Sequence, residues 1–130
     1  MSSESSELRA ACLCGAVRLI GRRTDSPFAA CHCSMCRRWS GHVWAGPEVE
    51  GLTVEGDALR WFRSSDTAER GFCGNCGSSL VWRQIGAGTA AISAGALEPP
   101  TGLRLEGHIY TAHKGDYYDI ADGLPQKAES

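Results

Sequence analysis

Cys31-His32-Cys33-Ser34-Met35-Cys36 places three thiols within six residues, and the reading of those thiols decides what kind of domain the chain builds. The 130 residues hold seven cysteines, and all of them fall in close groups: this triplet, Cys12-Leu13-Cys14, and Cys73-Gly74-Asn75-Cys76. An odd count strands one thiol in a pure disulfide framework, and a reducing compartment keeps thiols free in any case. Clustered cysteines in such a compartment read as metal ligands. Four thiolates in tetrahedral array form a closed structural zinc site, whereas three protein ligands leave a position open, as catalytic zinc requires. Seven divides as four plus three. The doublets Cys12/Cys14 and Cys73/Cys76 stand about sixty residues apart and sum to four, while Cys31, Cys33 and Cys36 converge on one ion unaided. The competing division joins the triplet to one residue of a doublet and strands the rest.

Outward from the cysteines the chain reads as short strands stopped by glycine, of which there are 16. Ala16-Val17-Arg18-Leu19-Ile20 alternates and stops at Gly21. His42–Ala45, Leu52–Glu55, Leu59–Phe62, Ser79–Arg83, Ala90–Ala94 and His108–Thr111 are the other strand candidates. Helix signal is confined to Met35–Trp39, running out of the triplet. The pattern predicts a mainly β fold, with residues 1–9 a disordered polar tail, 10–126 a single domain and 127–130 a second tail. Strands of about five residues enclose a thin core, so metal ligation that closes long loops adds stability the domain needs.

Composition narrows the function. Thirteen Lys and Arg against fifteen Asp and Glu give a formal charge of −2, which argues against nucleic-acid binding by phosphate neutralisation. The chain is 42% apolar and 22% charged, an ordinary globular mix. No stretch reaches the roughly 18 apolar residues of a membrane span. The start, Met1-Ser2-Ser3-Glu4-Ser5-Ser6-Glu7-Leu8, is polar and acidic where a signal peptide is basic and then apolar. A soluble, cytoplasmic protein is the expectation. Gly86-Ala87-Gly88 lacks the rest of a nucleotide-binding fingerprint, and no Gly-x-Ser-x-Gly elbow is present.

Three segments carry a resemblance: Cys12-Leu13-Cys14-Gly15-Ala16-Val17, the run Cys31 to Gly41, and Phe72-Cys73-Gly74-Asn75-Cys76-Gly77-Ser78-Ser79-Leu80. With His108-Ile109-Tyr110 and Ile120 to Gln126, the chain resembles the glutathione-dependent formaldehyde-activating enzyme family, also called centromere-protein-V-like. The resemblance implies a small Mss4-like domain of antiparallel sheets stapled by zinc. It implies two zincs per chain, a structural one on Cys12, Cys14, Cys73 and Cys76 and a second on Cys31, Cys33 and Cys36. The activity it implies is that of a carbon–sulfur lyase, joining glutathione to formaldehyde as S-(hydroxymethyl)glutathione.

Three thiolates donate strongly, so such a zinc ionises water poorly and suits a thiol as fourth ligand. Arg37, Arg38 and Arg70 flank the clusters and are positioned to offset thiolate charge by hydrogen bonding. His32, between two ligands, should point away from the metal. His42 would close the site if it reached back as a fourth ligand. Trp39 and Trp44 read as core packing ahead of pocket lining, and His108, His113 and Asp116–Asp119 have no identifiable partner. The alternative reading is a non-catalytic two-zinc module that binds a protein partner; the extra triplet weighs against it.

Overall fold

In the computed structural model residues 6–130 are described. Alternation builds the main sheet. In β1 (Glu7–Ala11) Leu8 and Ala10 are buried while Glu7 and Arg9 face solvent, the period of two that a half-buried strand requires. β2 (Arg18–Arg23) follows and pairs with it residue for residue, from Glu7 opposite Arg22 to Ala11 opposite Arg18. β5 (Glu48–Glu55), β6 (Leu59–Arg63), β7 (Ala68–Cys73), β8 (Ser79–Gln84) and β9 (Thr89–Ile92) complete seven strands in the order β1-β2-β5-β9-β8-β7-β6, all antiparallel. Val17, Leu19, Val49, Leu80, Val81 and Ile92 have no exposed surface and form the centre of the core.

A second sheet of three short strands carries the triplet. β3 (Ala29–Cys31) lies between β4 (Trp44–Ala45) and β10 (Gly107–Ile109). β10 runs parallel to β3, and an isolated parallel bridge joins His108 to Gln126; the other pairings among the described residues are antiparallel. Directly after β3 comes α1 (Ser34–Ser40). Cys33 caps this helix, its sulfur accepting from the Cys36 backbone N–H at 3.3 Å. The helix stops at Gly41, whose φ of 99° permits a left-handed residue that donates back to Arg37 O.

The structure corrects several boundaries. Residues 1–5 of the expected N-terminal tail lie outside the described residues, but Glu7–Arg9 belong to β1 because Leu8 reaches the core. The expected C-terminal tail is hydrogen-bonded: Lys127 N–H donates to His108 O, Tyr110 N–H to Glu129 O and Thr111 N–H to Lys127 O. β1, β3 and β7 were absent from the expected strands, and β5 begins at Glu48 instead of Leu52. The strand expected over Ala90–Ala94 ends at Ile92, and a 3-10 turn opens at Ala94. His42–Ala45 shortens to Trp44–Ala45. No helix among the described residues is long and apolar enough to cross a membrane.

Candidate metal centres

The seven cysteines gather in the groups that spacing suggests. The sulfurs of Cys12, Cys14, Cys73 and Cys76 all lie within 4.8 Å of one another, and so do those of Cys31, Cys33 and Cys36. Cys12 and Cys14 follow β1, and Cys73 and Cys76 span the turn from β7 to β8. β1 is one edge of the large sheet and β7 lies next to the other edge. The four-cysteine group therefore brings together parts of the sheet that are remote in strand order. Leu13 N–H reinforces the junction by donating to Ser78 Oγ at 3.0 Å.

This donor set fits a tetrahedral thiophilic metal. A zinc bonded to four sulfurs at about 2.3 Å separates neighbouring sulfurs by about 3.8 Å. Cys12 Sγ lies 3.7 Å from Cys14 Sγ, and Cys14 Sγ 3.8 Å from Cys73 Sγ. Backbone donors face the sulfurs as thiolates need: Val17 N–H to Cys12 at 3.2 Å, and Asn75 and Cys76 N–H to Cys73 at 3.4 Å each. Ser78 hydrogen bonding, through its hydroxyl first and then its backbone, holds Cys76 down to about 5.

The triplet differs in its setting. Cys31 and Cys36 are buried and Cys33 is half-buried. Hydrogen bonding with Cys31 holds Cys36 down to about 6 against the opposing effect of burial, with help from Arg70, and the same sharing pushes Cys31 up. Arg70, on β7 and only 4% exposed, donates from Nη1 to Cys36 Sγ at 3.6 Å, and its guanidinium lies 5.0 Å from the centre of the Trp39 ring. Its Nε is buried without an acceptor, as is Arg37 Nε. A buried cation that donates to one of three clustered sulfurs, with no carboxylate in ion-pair range among the described residues, suits thiolates gathered on a metal.

No other protein donor joins the triplet among the described residues. His42 instead shares a 2.6 Å hydrogen bond with Tyr117 Oη and faces Tyr118 edge-on. His32 is 2% exposed and engaged at both nitrogens, Nδ1 with Tyr118 Oη at 2.6 Å and Nε2 with His108 Nδ1 at 2.9 Å. His108 Nε2 in turn meets Asp122 Oδ2 at 2.8 Å. Tyr118 lies 86 positions from His32 in the chain, and nothing in the sequence between them announces the contact. His113 pairs with the exposed Glu129.

Trp39 and Trp44 line an open cavity of about 740 Å³ together with Ser40, Ser79, Ser93 and Cys76. The two rings stand 5.5 Å apart, and Trp44 Nε1 donates to Ser93 Oγ at 2.8 Å. They line a cavity where core packing was the expectation. A smaller depression of about 250 Å³ between β1, β2 and β5 includes no cysteine.

Comparison with known proteins supplies the fold and the family. A crystal structure of a Rhodobacter sphaeroides protein superposes with a TM-score of 0.59 at 21% identity, covering 91% of this chain and 98% of that one. An uncharacterized lyase of Schizosaccharomyces pombe is 30% identical over 114 residues, 85% of this chain and 83% of the relative. The family model for glutathione-dependent formaldehyde-activating enzymes matches residues 7–113, short of the Gln126 to which the resemblance extends. All seven cysteines fall inside that match, and the chain belongs to the glutathione-dependent formaldehyde-activating enzyme family.

Proposed function

We propose that this protein is a zinc-dependent carbon–sulfur lyase that forms or cleaves a thiol–aldehyde adduct such as S-(hydroxymethyl)glutathione at the Cys31/Cys33/Cys36 cluster. Cys12, Cys14, Cys73 and Cys76 would hold a second, structural zinc. The observation that carries the reading is a cluster of three sulfurs, separate from a cluster of four, with no further protein donor among the described residues. Zinc held there by three thiolates supplies a soft Lewis acid that lowers the pKa of an incoming thiol.

The chain's own residues divide the remaining work. Cys31 and Cys33 flank a histidine whose ring is fixed between Tyr118 and His108, so the peptide that presents the two sulfurs is anchored from behind. His32 N–H also donates to Ile109 O at 3.1 Å, tying the same peptide to β10. Cys36 is presented by the first turn of α1, which Cys33 itself caps. Arg70 offsets part of the thiolate charge. Trp39, on the same helix as Cys36, lines a cavity whose volume falls within the ~300–1,000 Å³ range of small-molecule sites, though Cys76 and none of the triplet cysteines lines it. In the synthetic direction a thiolate sulfur attacks the carbonyl carbon and the thiol's proton ends on the new hydroxyl oxygen. Cleavage returns that proton to sulfur.

Binding of glutathione tests this without relying on turnover. The cobalt-substituted protein should respond to glutathione with a change in its thiolate-to-metal absorption, and binding should release a proton. Affinity should rise with pH until the free thiol is ionised, then level. S-methylglutathione, which cannot ionise at sulfur, should bind far more weakly. Equal binding of the two, with neither proton release nor spectral change, would falsify the open-site reading and favour a module whose two zincs are both structural.

A further inference from the structure

We infer that Arg70 determines which class of fourth ligand the three-cysteine cluster accepts, by supplying the positive charge that lets an anionic donor enter in preference to a neutral one. The inference rests on the reading that this cluster holds a divalent metal with one position open.

Arginine stays protonated wherever it is placed, so its burial demands an anion nearby. Arg70 is 4% exposed, yet no carboxylate lies in ion-pair range; Glu69, its neighbour on β7, faces away to Arg83 at 2.7 Å. The one hydrogen-bond acceptor within reach of Arg70 among the described residues is Cys36 Sγ at 3.6 Å, and its Nε has no acceptor. The other face of the guanidinium is covered by Trp39, whose ring also walls the 740 Å³ cavity. Arg70 thus touches both the cluster, at Cys36, and Trp39, a residue that lines the cavity.

Charge decides the consequence. Three thiolates around a divalent ion carry one net negative charge, and Arg70 brings the assembly to zero. A neutral fourth ligand leaves it at zero and an anionic one at minus one. Without Arg70 the same anion would bring the total to minus two, against a cluster in which two of three cysteines are buried. Loss of Arg70 therefore penalises anionic ligands selectively. The four-cysteine cluster provides the contrast: Cys14 is exposed to water, and no arginine donates to its sulfurs among the described residues.

Ligand titration of the full chain loaded with cobalt, followed by absorption, tests this. Azide and imidazole both bind through nitrogen and differ in charge, and comparing each ligand with itself across variants cancels their differences in size and basicity. Arg70→Met keeps an apolar stem against Trp39 and should weaken azide ~30-fold, about 2 kcal/mol, with imidazole changed less than ~3-fold. Arg70→Lys should restore most of the azide affinity. Equal loss for both ligands, no loss for either, or no rescue by lysine overturns the inference. The wild-type protein supplies a measurement that does not depend on any variant folding: it should admit azide with a spectral change, and a response to imidazole without one to azide also overturns the inference. A wild-type protein that responds to neither ligand removes the open position itself. Azide binding whose preference survives Arg70→Met removes the role of Arg70 alone.

Discussion

His32 shows how far a single side chain can be read once its neighbours are known. Hydrogen bonding from the Leu124 backbone and from His108 holds Asp122 below the usual carboxylate range, so it is ionised and accepts only. His108 must then donate from Nε2, and in its neutral form it accepts at Nδ1. His32 donates there from Nε2, and its own Nδ1 accepts the Tyr118 hydroxyl. Burial, followed by the neighbouring His108, pushes the His32 pKa down, which favours the same neutral ring. Nitrogen-15 spectra should therefore show both imidazoles protonated at Nε2. The chain also has a graded cost. His108→Leu strands the His32 Nε2 proton in a site 2% exposed and should destabilise by about 1–3 kcal/mol in urea unfolding. Asp122 is 41% exposed, so water replaces it, and Asp122→Ala should cost about 0.5–1.5 kcal/mol. The opposite order would mean that the chain is not directed as described.

At the scale of elements, β5 is the spine of the large sheet, pairing with β2 on one side and β9 on the other. Its Val49 has no exposed surface, and the register of β2 against β5 shifts between Ile20 and Arg22. Gly21 occupies that shift, and a β-carbon there would meet Val49 Cγ2 at 2.7 Å. Gly21→Ala should cost about 1–3 kcal/mol by overpacking. Gly88, whose β-carbon would meet nothing within 4 Å, should tolerate alanine within about 0.5 kcal/mol. Thermal melts of the two variants that fall together would show that Val49 yields.

The same elements show what was legible in advance. Leu59–Phe62, Ser79–Arg83 and Met35–Trp39 reappear almost unshifted as β6, β8 and α1, because each has a clean local pattern. β7 was not readable. Its buried positions include Arg70 and Gly71, which no alternation rule assigns to a core, and Arg70 is buried where the Cys36 sulfur of a distant segment accepts from it. β1 was hidden by its polar outward residues, and β3 by its length of three. The triplet and each cysteine doublet were readable because their spacing is local, and the joining of two distant doublets followed from dividing seven cysteines as four plus three. The ring network of His32, His108, Tyr118 and Asp122 was not, since no short-range rule joins residues so far apart.

Over the whole molecule the two clusters constrain the chain unequally. Cys14 and Cys73 are 59 positions apart, and their cluster joins strands from nearly opposite ends of a seven-stranded sheet. A metal there closes long loops, and its binding energy adds to folding. Cys31, Cys33 and Cys36 lie within one short segment, so ligation among them restrains little of the unfolded chain. Cys73→Ser should therefore lower the melting temperature by on the order of 10 °C more than Cys33→Ser. The comparison is favourable for a second reason. Cys33 caps α1 through its sulfur, and serine is itself a good N-cap, so Cys33→Ser removes a metal donor while leaving the helix start satisfied. Metal content separates the outcomes further: Cys33→Ser should keep about one zinc per chain through gel filtration. Cys73→Ser should lose its structural zinc and become sensitive to proteolysis between β1 and β2, where the clamp is gone. Equal melting temperatures in the two variants would mean that the sheet closes without the four-cysteine cluster, and that the division of labour between the two sites is wrong.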